Sequence, residues 1–201
     1  MASAAAPAPA PGYSIRAVTT DADLAAMAAI YAHFTRASTA PWASAEEVST
    51  AADFAARWRA AAPRGLPWLV AVDAAGAVAG YCTVGDFRGR LGWRFACEHS
   101  VYVAPAHARR GLGRALLAAA IAGARAAGVA VLVAVISVHA PSGAGAASVA
   151  LHEALGCTRA GAFPAAGVKG GLVLDAVFLA LTLQPIPESA VADPRGALVA
   201  E

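Results

Sequence analysis

The chain has 201 residues, 59% of them hydrophobic and 14% charged, with a formal net charge of +2. This length fits one domain with short tails, and this composition excludes a chain that is disordered over most of its length. The charge is too small and too dispersed for a nucleic-acid-binding protein, and every apolar run is far shorter than the roughly 20 residues of a membrane-spanning helix.

The first half of the chain alternates between helix and strand signals. Met1–Gly12 is rich in Ala and Pro and lacks the basic start of a signal peptide, so we expect a disordered tail. Thr20 precedes two aspartates and an apolar repeat at helical spacing, which is typical of a helix N-cap. The expected elements are, in chain order, a strand over Tyr13–Val18, a helix from Thr20 to about Phe34, a helix near Thr50–Ala61, a hairpin of Trp68–Val72 and Val78–Val84, and a strand over Ala96–Val103.

In the second half, glycines mark where helices end. Gly128 and Gly156 each follow an Ala/Leu-rich run, and Ser148 is expected to cap the shorter helix. The expected elements are a helix over Gly111–Ala127, a strand over Val129–Ile136, a helix over Ser148–Leu155, strands over Cys157–Phe163 and Leu172–Leu183, and a flexible tail over 184–201. The order predicts one α/β (α+β) domain over residues 13–183, with a mixed sheet flanked by helices.

A Gly-X-Gly turn opens the long helix. Gly111, Leu112 and Gly113 lie where backbone amides are unpaired, and amides at a helix start bind phosphate. Arg109, Arg110 and Arg114 add positive charge around the same turn, which suits a pyrophosphate. An ordinary strand-to-helix turn with surface arginines is the alternative that these residues alone leave open.

Several stretches together match one known pattern: EHSVYVAP (Glu98–Pro105), RRGLGRALL (Arg109–Leu117), VAVI (Val133–Ile136), SVALHEALG (Ser148–Gly156), and the last strand with Asp175 and Phe178. Over about Ile15–Leu183 the chain resembles the GNAT acetyltransferase superfamily, and within it the phosphinothricin N-acetyltransferases. The resemblance implies a splayed central strand whose residues Val101, Tyr102 and Val103 hold the pantetheine arm of acetyl-CoA. It also implies a homodimer that transfers acetyl to the amino group of a small amino-acid-like substrate, by direct attack on the thioester.

Acetyl transfer to an amine requires a base, because an α-amino group with a pKa of about 7.7–8.0 is largely protonated at neutral pH. The position of Glu98 by itself indicates a solvated charge at a strand edge. The resemblance, however, implies a catalytic carboxylate at this position. His152 by itself reads as a packing residue on a helix. The resemblance implies that it acts near the thioester, either orienting the substrate or supplying a proton to the departing CoA thiolate.

Three arginines cluster between two expected strands, at Arg88, Arg90 and Arg94. A basic cluster in a loop is usually solvated surface, yet guanidinium groups suit carboxylate and phosphinate oxygens, and the resemblance implies that this region holds the anionic end of the substrate. Trp42 and Trp93 are expected to form apolar walls of the same site, or else to belong to the core. The aromatic residue typical of the last long strand in this family is replaced by Val173, which predicts a different substrate shape.

The chain departs from the family pattern at two places that concern the cofactor. Ala108 stands where the superfamily usually has Gln or Arg, and the segment His139–Ser148 replaces the usual Asn after the strand. Because backbone amides do most of the phosphate binding, we expect weaker binding of CoA rather than none. The alternatives are an acetyltransferase for other small amines or for protein N-termini, an enzyme with a longer acyl donor, and a non-catalytic acyl-CoA-binding module.

The three cysteines, Cys82, Cys97 and Cys157, are widely spaced and form no CxxC pair. This spacing indicates neither a disulfide framework nor a zinc site, and no other His, Cys or Asp pair has ligand spacing on a readable element. We therefore expect no metal, and a reducing compartment, the cytoplasm, as the place of action.

Overall fold

The computed structural model describes residues 9–191. It contains seven strands and five α-helices: β1 (Tyr13–Ala17), α1 (Asp21–Ala37), α2 (Ala51–Ala61), β2 (Trp68–Asp73), β3 (Val78–Asp86), β4 (Ala96–Val103), α3 (Leu112–Ala126), β5 (Val131–Val138), α4 (Ala146–Glu153), β6 (Thr158–Lys169), β7 (Leu172–Thr182) and α5 (Glu188–Val191). Residues 1–8 of the expected N-terminal tail and residues 192–201 of the expected C-terminal tail lie outside the described part. None of the described helices has the length and apolar character needed to cross a membrane.

The strands form one sheet in the order β1-β2-β3-β4-β5-β7-β6, and only β4 and β5 run parallel. Their pairing covers Ala96–Glu98 on β4 and Val131–Val133 on β5 and then stops, so the remaining residues of the two strands diverge. The prediction of a mixed sheet flanked by helices is confirmed, and the central strand is splayed from its neighbour as the family resemblance implies.

The two faces of β4 pack against different helices because successive side chains of a strand point to opposite faces. Tyr102 contacts the rings of Tyr31 and Phe34, which lie on α1. Val103, the next residue, lies beside the start of α3, within 3.8 Å of where a Cβ on Gly113 would stand. The helix α1 therefore covers one face of β4, and α3 covers the other.

The start of α1 follows the sequence expectation, whereas the start of α4 does not. Thr20 caps α1 through the amide of Asp23, whose carboxylate accepts a hydrogen bond from the amide of Thr20 in return. The prediction that Ser148 caps α4 is wrong, because the helix begins at Ala146 with Gly145 as its N-cap at φ 84°. A Cβ at Gly145 would overlap the carbonyl oxygen of Ser137, so glycine alone fits this entry.

The described part of the C-terminal tail, residues 184–191, contacts the domain at two points. Gln184 donates to the carbonyl oxygens of Arg125 and Val129 at 3.0 and 3.2 Å. Arg94 donates to the carbonyl oxygen of Ala190 at 2.9 Å. This segment therefore lies against the end of α3 and the loop before β4.

Candidate active site

A cleft of about 470 Å³ occupies the gap where β4 and β5 separate. Its walls come from β4, β5, α4 and the loop after α1, and include Val101, Tyr102, Val103, Ile136 and His152. Past Glu98, no described residue of β5 pairs with β4, so the β4 backbone groups that face the gap are open to an extended ligand rich in amides. We call this space the donor cleft.

The turn at the start of α3 lies at the end of the donor cleft, beside Val103 of β4 and Leu151 of α4. Gly111 adopts φ 73° as the helix N-cap, and the first hydrogen bond of the helix runs from the amide of Ala115 to the carbonyl of Gly111 at 3.0 Å. The preceding amides, of Leu112, Gly113 and Arg114, therefore have no intrahelical partner. The structure thus brings the expected phosphate-binding turn and the expected pantetheine strand together at one cleft.

The arginines around this turn are exposed and face solvent. Arg109 adopts a left-handed φ of 60°, and the guanidinium of Arg110 lies 5.9 Å from the ring centroid of Tyr13. Within residues 9–191, none of Arg109, Arg110 and Arg114 forms an ion pair with a carboxylate. Their positive charge is therefore available to an anion bound at the turn.

The segment that replaces the family's usual Asn is a compact turn, not an open loop. The backbones of His139 and Ala144 form an isolated antiparallel bridge, closed by a turn over Ala140–Ser142. Ala144 and Gly145 then line the donor cleft. The extra residues are therefore accommodated at the rim of the cleft without filling it.

His152 lies buried in the donor cleft and is tied to two neighbours. Its Nδ1 lies 2.6 Å from the carbonyl oxygen of Ser148, and its Nε2 lies 2.9 Å from Nε2 of His99. Burial lowers the pKa of His152, and it lowers the pKa of His99 to about 3. His99 was assigned no role from the sequence, because a single histidine on a strand carries no signal of a partner 53 residues away.

Glu98 lies on the opposite face of β4 from His99, in a cavity of about 230 Å³ shared with Thr83 and Ser100. Burial raises the pKa of the Glu98 carboxyl, and the positive charge of Arg88 opposes this shift. Glu98 and His152 are therefore not neighbours. Ser100 lines both this cavity and the donor cleft, so the two spaces meet at that residue.

A third cavity, of about 540 Å³, is lined by Arg88, Trp93 and six further aromatic or small residues. Phe163 on β6 and Phe178 on β7 form one wall, with ring centroids 5.2 Å apart. Neither phenylalanine was predicted as a site residue. Phe163 could have been noticed as an aromatic residue in a strand of small residues, whereas Phe178 lies in an ordinary apolar strand. We call this space the aromatic cavity, and its polar member is Arg88.

The other expected substrate residues lie elsewhere. Arg94 donates to the carbonyl oxygens of Leu91 and Ala190, at 3.2 and 2.9 Å, so its guanidinium holds the chain rather than facing the aromatic cavity. Arg90 is exposed beside it. Trp42 packs on β6, where a Cβ at Gly167 would lie 2.9 Å from its ring, and so it does not share a cavity with Trp93.

All three cysteines are buried as free thiols. Among residues 9–191, no three His, Cys, Asp or Glu side chains are grouped so that they could hold a metal ion.

Comparison with known proteins identifies the family. The family model of the acetyltransferase (GNAT) family matches residues 27–157. The chain is 44% identical over 167 residues to an L-methionine sulfoximine/L-methionine sulfone acetyltransferase of Pseudomonas paraeruginosa, covering 82% of this chain and 91% of the relative.

Two solved structures share the fold. One is a candidate acetyltransferase of Salmonella typhimurium with its cofactor acetyl-CoA, at TM-score 0.77 and 40% identity, covering 86% of this chain and 95% of the other. The second is a phosphinothricin acetyltransferase of Sinorhizobium meliloti in complex with acetyl-CoA, at TM-score 0.76 and 33% identity, covering 86% and 89%. The chain belongs to the acetyltransferase (GNAT) family.

Proposed function

We propose that this protein transfers an acetyl group from acetyl-CoA to the amino group of a small amino acid of the methionine sulfoximine or phosphinothricin type. The observation that carries the proposal is the junction at Ser100, where the donor cleft meets the cavity that holds Glu98. A thioester at this junction would be open to an amine arriving from the Glu98 side. The names of the relatives support this acceptor class.

The chemical groups of acetyl-CoA match the protein groups along the donor cleft. The pyrophosphate of acetyl-CoA would lie on the amides of Leu112–Arg114, with Arg109, Arg110 and Arg114 as counter-charges. The pantetheine amides would pair with the β4 backbone at Val101–Val103, which β5 leaves unpaired. Amide donors carry this binding, so the absence of a long side chain at Ala108 removes one contact only.

From the ammonium form of the acceptor, the reaction removes two protons from nitrogen and supplies one to sulfur. Glu98 would accept a proton from the ammonium group of the acceptor, directly or through one water, and its raised pKa suits a base that works near neutrality. The neutral amine then attacks the thioester carbon, so that the C–N bond forms and the C–S bond breaks. The sulfur leaves as thiolate and takes up the second proton, which the acetylated nitrogen releases. This yields the N-acetyl amino acid and CoA, and the first proton passes from Glu98 to solvent.

The aromatic cavity would hold the acceptor's side chain. Arg88 would face the carboxylate or phosphinate, while Trp93, Phe163 and Phe178 would contact the methyl or methylene groups. This arrangement fits a substrate that is anionic at one end and apolar at the other. Val173 does not line this cavity, so its apolar wall comes from Phe163 and Phe178 instead.

The proposal is tested by an acceptor screen with acetyl-CoA, scored by release of free thiol. Methionine sulfoximine, methionine sulfone and phosphinothricin should be acetylated far faster than arylamines or peptides with a free N-terminus. A preference for arylamines or peptides would overturn the acceptor class. Binding of acetyl-CoA without thiol release for any amine would favour a non-catalytic acyl-CoA-binding module.

Arg88→Ala should raise the KM for the amino-acid acceptor by roughly 10- to 150-fold with a smaller change in kcat. The reason is the loss of a charge-assisted contact worth about 1.5–3 kcal/mol in both ground and transition states. Arg90→Ala is the matched control, because it removes an equal charge from the same loop outside the aromatic cavity. The measurement is initial rates at fixed ionic strength, and equal KM values for the two variants would remove Arg88 from the site.

We further propose that two copies associate through β6. This strand lies at the edge of the sheet and is exposed along most of its length, with Val168 73% exposed beside Val173 at 55%. A second copy would cover these apolar side chains. Light scattering should give the mass of a dimer, and Val168→Glu with Val173→Glu should give a monomer; a monomeric wild-type protein would contradict the proposal.

From the sequence we also propose that the enzyme acts in the cytoplasm, without a metal, a membrane or nucleic acid as partner. Amine acetylation by direct attack needs no metal, and the three free thiols suit a reducing compartment. Activity that is unchanged after chelation by EDTA would agree with a reaction that needs no metal. Loss of activity that zinc restores would contradict the absence of a metal.

A further inference from the structure

A buried pair of imidazoles joins β4 to α4 at the point where β4 and β5 separate. Glu98 makes the last backbone pairing with β5, and His99 is the next residue of β4. Nε2 of His99 lies 2.9 Å from Nε2 of His152, and both rings line the donor cleft. The side-chain contact therefore holds the two sides of the cleft together where the backbone pairing ends.

The contacts of His152 determine which ring nitrogens carry hydrogen. A carbonyl oxygen only accepts, so Nδ1 of His152, at 2.6 Å from the Ser148 carbonyl, must be the donor. A neutral ring then has no hydrogen on Nε2. The hydrogen between the two rings therefore belongs to Nε2 of His99, and Nδ1 of His99 is left as a lone pair.

Burial favours this neutral arrangement, since it lowers the pKa of both rings. The Val133 carbonyl favours a hydrogen on the His99 ring and so raises its pKa, but burial and the neighbouring His152 outweigh this effect. A hydrogen moved to Nδ1 of neutral His99 would leave two lone pairs facing each other at 2.9 Å. In the described residues, Nδ1 of His99 has no hydrogen-bond partner although it is buried.

We propose that His99 is a positioning residue of the donor cleft, which donates its Nε2 hydrogen to His152 and, together with the Ser148 carbonyl, holds that ring as the Nδ1–H tautomer. The inference rests on the proposed function, because the ligand of the cleft is taken to be the acyl donor. In the resting enzyme His152 then has no free N–H for the departing sulfur. The resemblance implies two roles for His152, and the role of orienting the substrate is compatible with this tautomer. Supplying a proton to the CoA thiolate would require that the pair of His99 and His152 first gain a proton.

The tautomers are tested in the ligand-free protein, without any assay of activity. Long-range ¹H–¹⁵N spectra of ¹⁵N-histidine-labelled protein at neutral pH should show His152 protonated at Nδ1 only and His99 protonated at Nε2 only. Single substitutions of each histidine assign the signals. A proton on Nε2 of His152, a proton on Nδ1 of His99 or a doubly protonated ring would overturn the proposal, whether or not the enzyme acetylates an amine.

Two variants test the consequence for the cleft. His99→Gln keeps an N–H donor toward His152, whereas His99→Leu has similar size and no donor. We expect His99→Leu to lower kcat/KM for acetyl-CoA by at least about tenfold and His99→Gln to stay within roughly threefold of wild type. His33→Leu, at an exposed site on α1, is the control for loss of a histidine.

Equal loss in His99→Leu and His99→Gln would overturn the positioning role. If His99→Leu does not fold, the tautomer of His152 in His99→Gln decides instead, and a shift of its proton away from Nδ1 would contradict the proposal. Complete inactivity of the wild-type protein would contradict the proposed function. It would not affect the outcome of the tautomer measurement.

Discussion

Glu98→Gln should lower kcat by roughly 10²–10⁴-fold while leaving the affinity for acetyl-CoA unchanged. The substitution keeps the size of the side chain and removes its capacity to accept a proton. Glu98 lines the cavity on the proposed acceptor side of β4 and does not line the donor cleft, so the donor's contacts should be preserved. Steady-state rates with saturating substrates, and calorimetry with acetyl-CoA, measure the two effects separately.

Glu153→Gln is the matched control, because Glu153 is an exposed carboxylate that pairs with Arg159 on the surface. This variant should retain wild-type kcat. A Glu98→Gln enzyme within a few-fold of wild type, or one that loses acetyl-CoA affinity equally, would remove Glu98 from the role of base.

The pH dependence of kcat gives the same assignment a second test. Burial raises the pKa of Glu98, and the base is active only when ionised, so kcat should rise as pH increases through that raised pKa and then level off. Removing the charge of Arg88 should shift this rise to higher pH, because Arg88 opposes the effect of burial. Glu98→Gln should lack this limb of the profile.

The elements of the fold could be predicted from local signals, whereas the missed start of α4 has a tertiary cause. The expected strand over Ala96–Val103 matches β4, since its apolar run ends at a proline. The start of α4 was missed because Ser148 has the residue type of a cap, while the close approach of Gly145 to Ser137 depends on tertiary contact. Residue propensities carry no information about such a contact.

The site was less predictable because its geometry depends on contacts between distant parts of the chain. The sequence singled out Glu98 and His152, but only the contact of His99 with His152 shows that His152 lies on the face of β4 opposite to Glu98. Phe163 and Phe178 meet Arg88 through the pairing of β6 with β7, which brings the end of the chain beside the loop after β3. In the sequence, nothing distinguishes Arg94 from Arg88 and Arg90. In the structure it differs from them, because its guanidinium donates to the carbonyl oxygen of Ala190.

Gly111→Asp should reduce acetyl-CoA affinity beyond detection by calorimetry. Gly111 precedes the unpaired amides of α3, so a carboxylate there would repel the pyrophosphate and compete for the same hydrogen-bond donors. A Cβ at Gly111 would meet no heavy atom within 4 Å, so the fold can accept a side chain at this position. The cost to folding comes from φ 73°, a conformation in which Asp and Asn are tolerated better than other residues.

Gly111→Asn is the matched control, because Asn has the shape of Asp, shares its tolerance of positive φ and carries no charge. Strain or crowding at the turn would weaken acetyl-CoA binding equally in both variants, whereas repulsion of the pyrophosphate affects Asp alone. We therefore expect the affinity of Gly111→Asn for acetyl-CoA to stay within about tenfold of wild type. The loss of affinity in Gly111→Asp should be smaller for pantetheine analogues that lack the phosphates than for acetyl-CoA. Equal affinities of the Asp and Asn variants for acetyl-CoA would mean that the pyrophosphate does not lie on this turn.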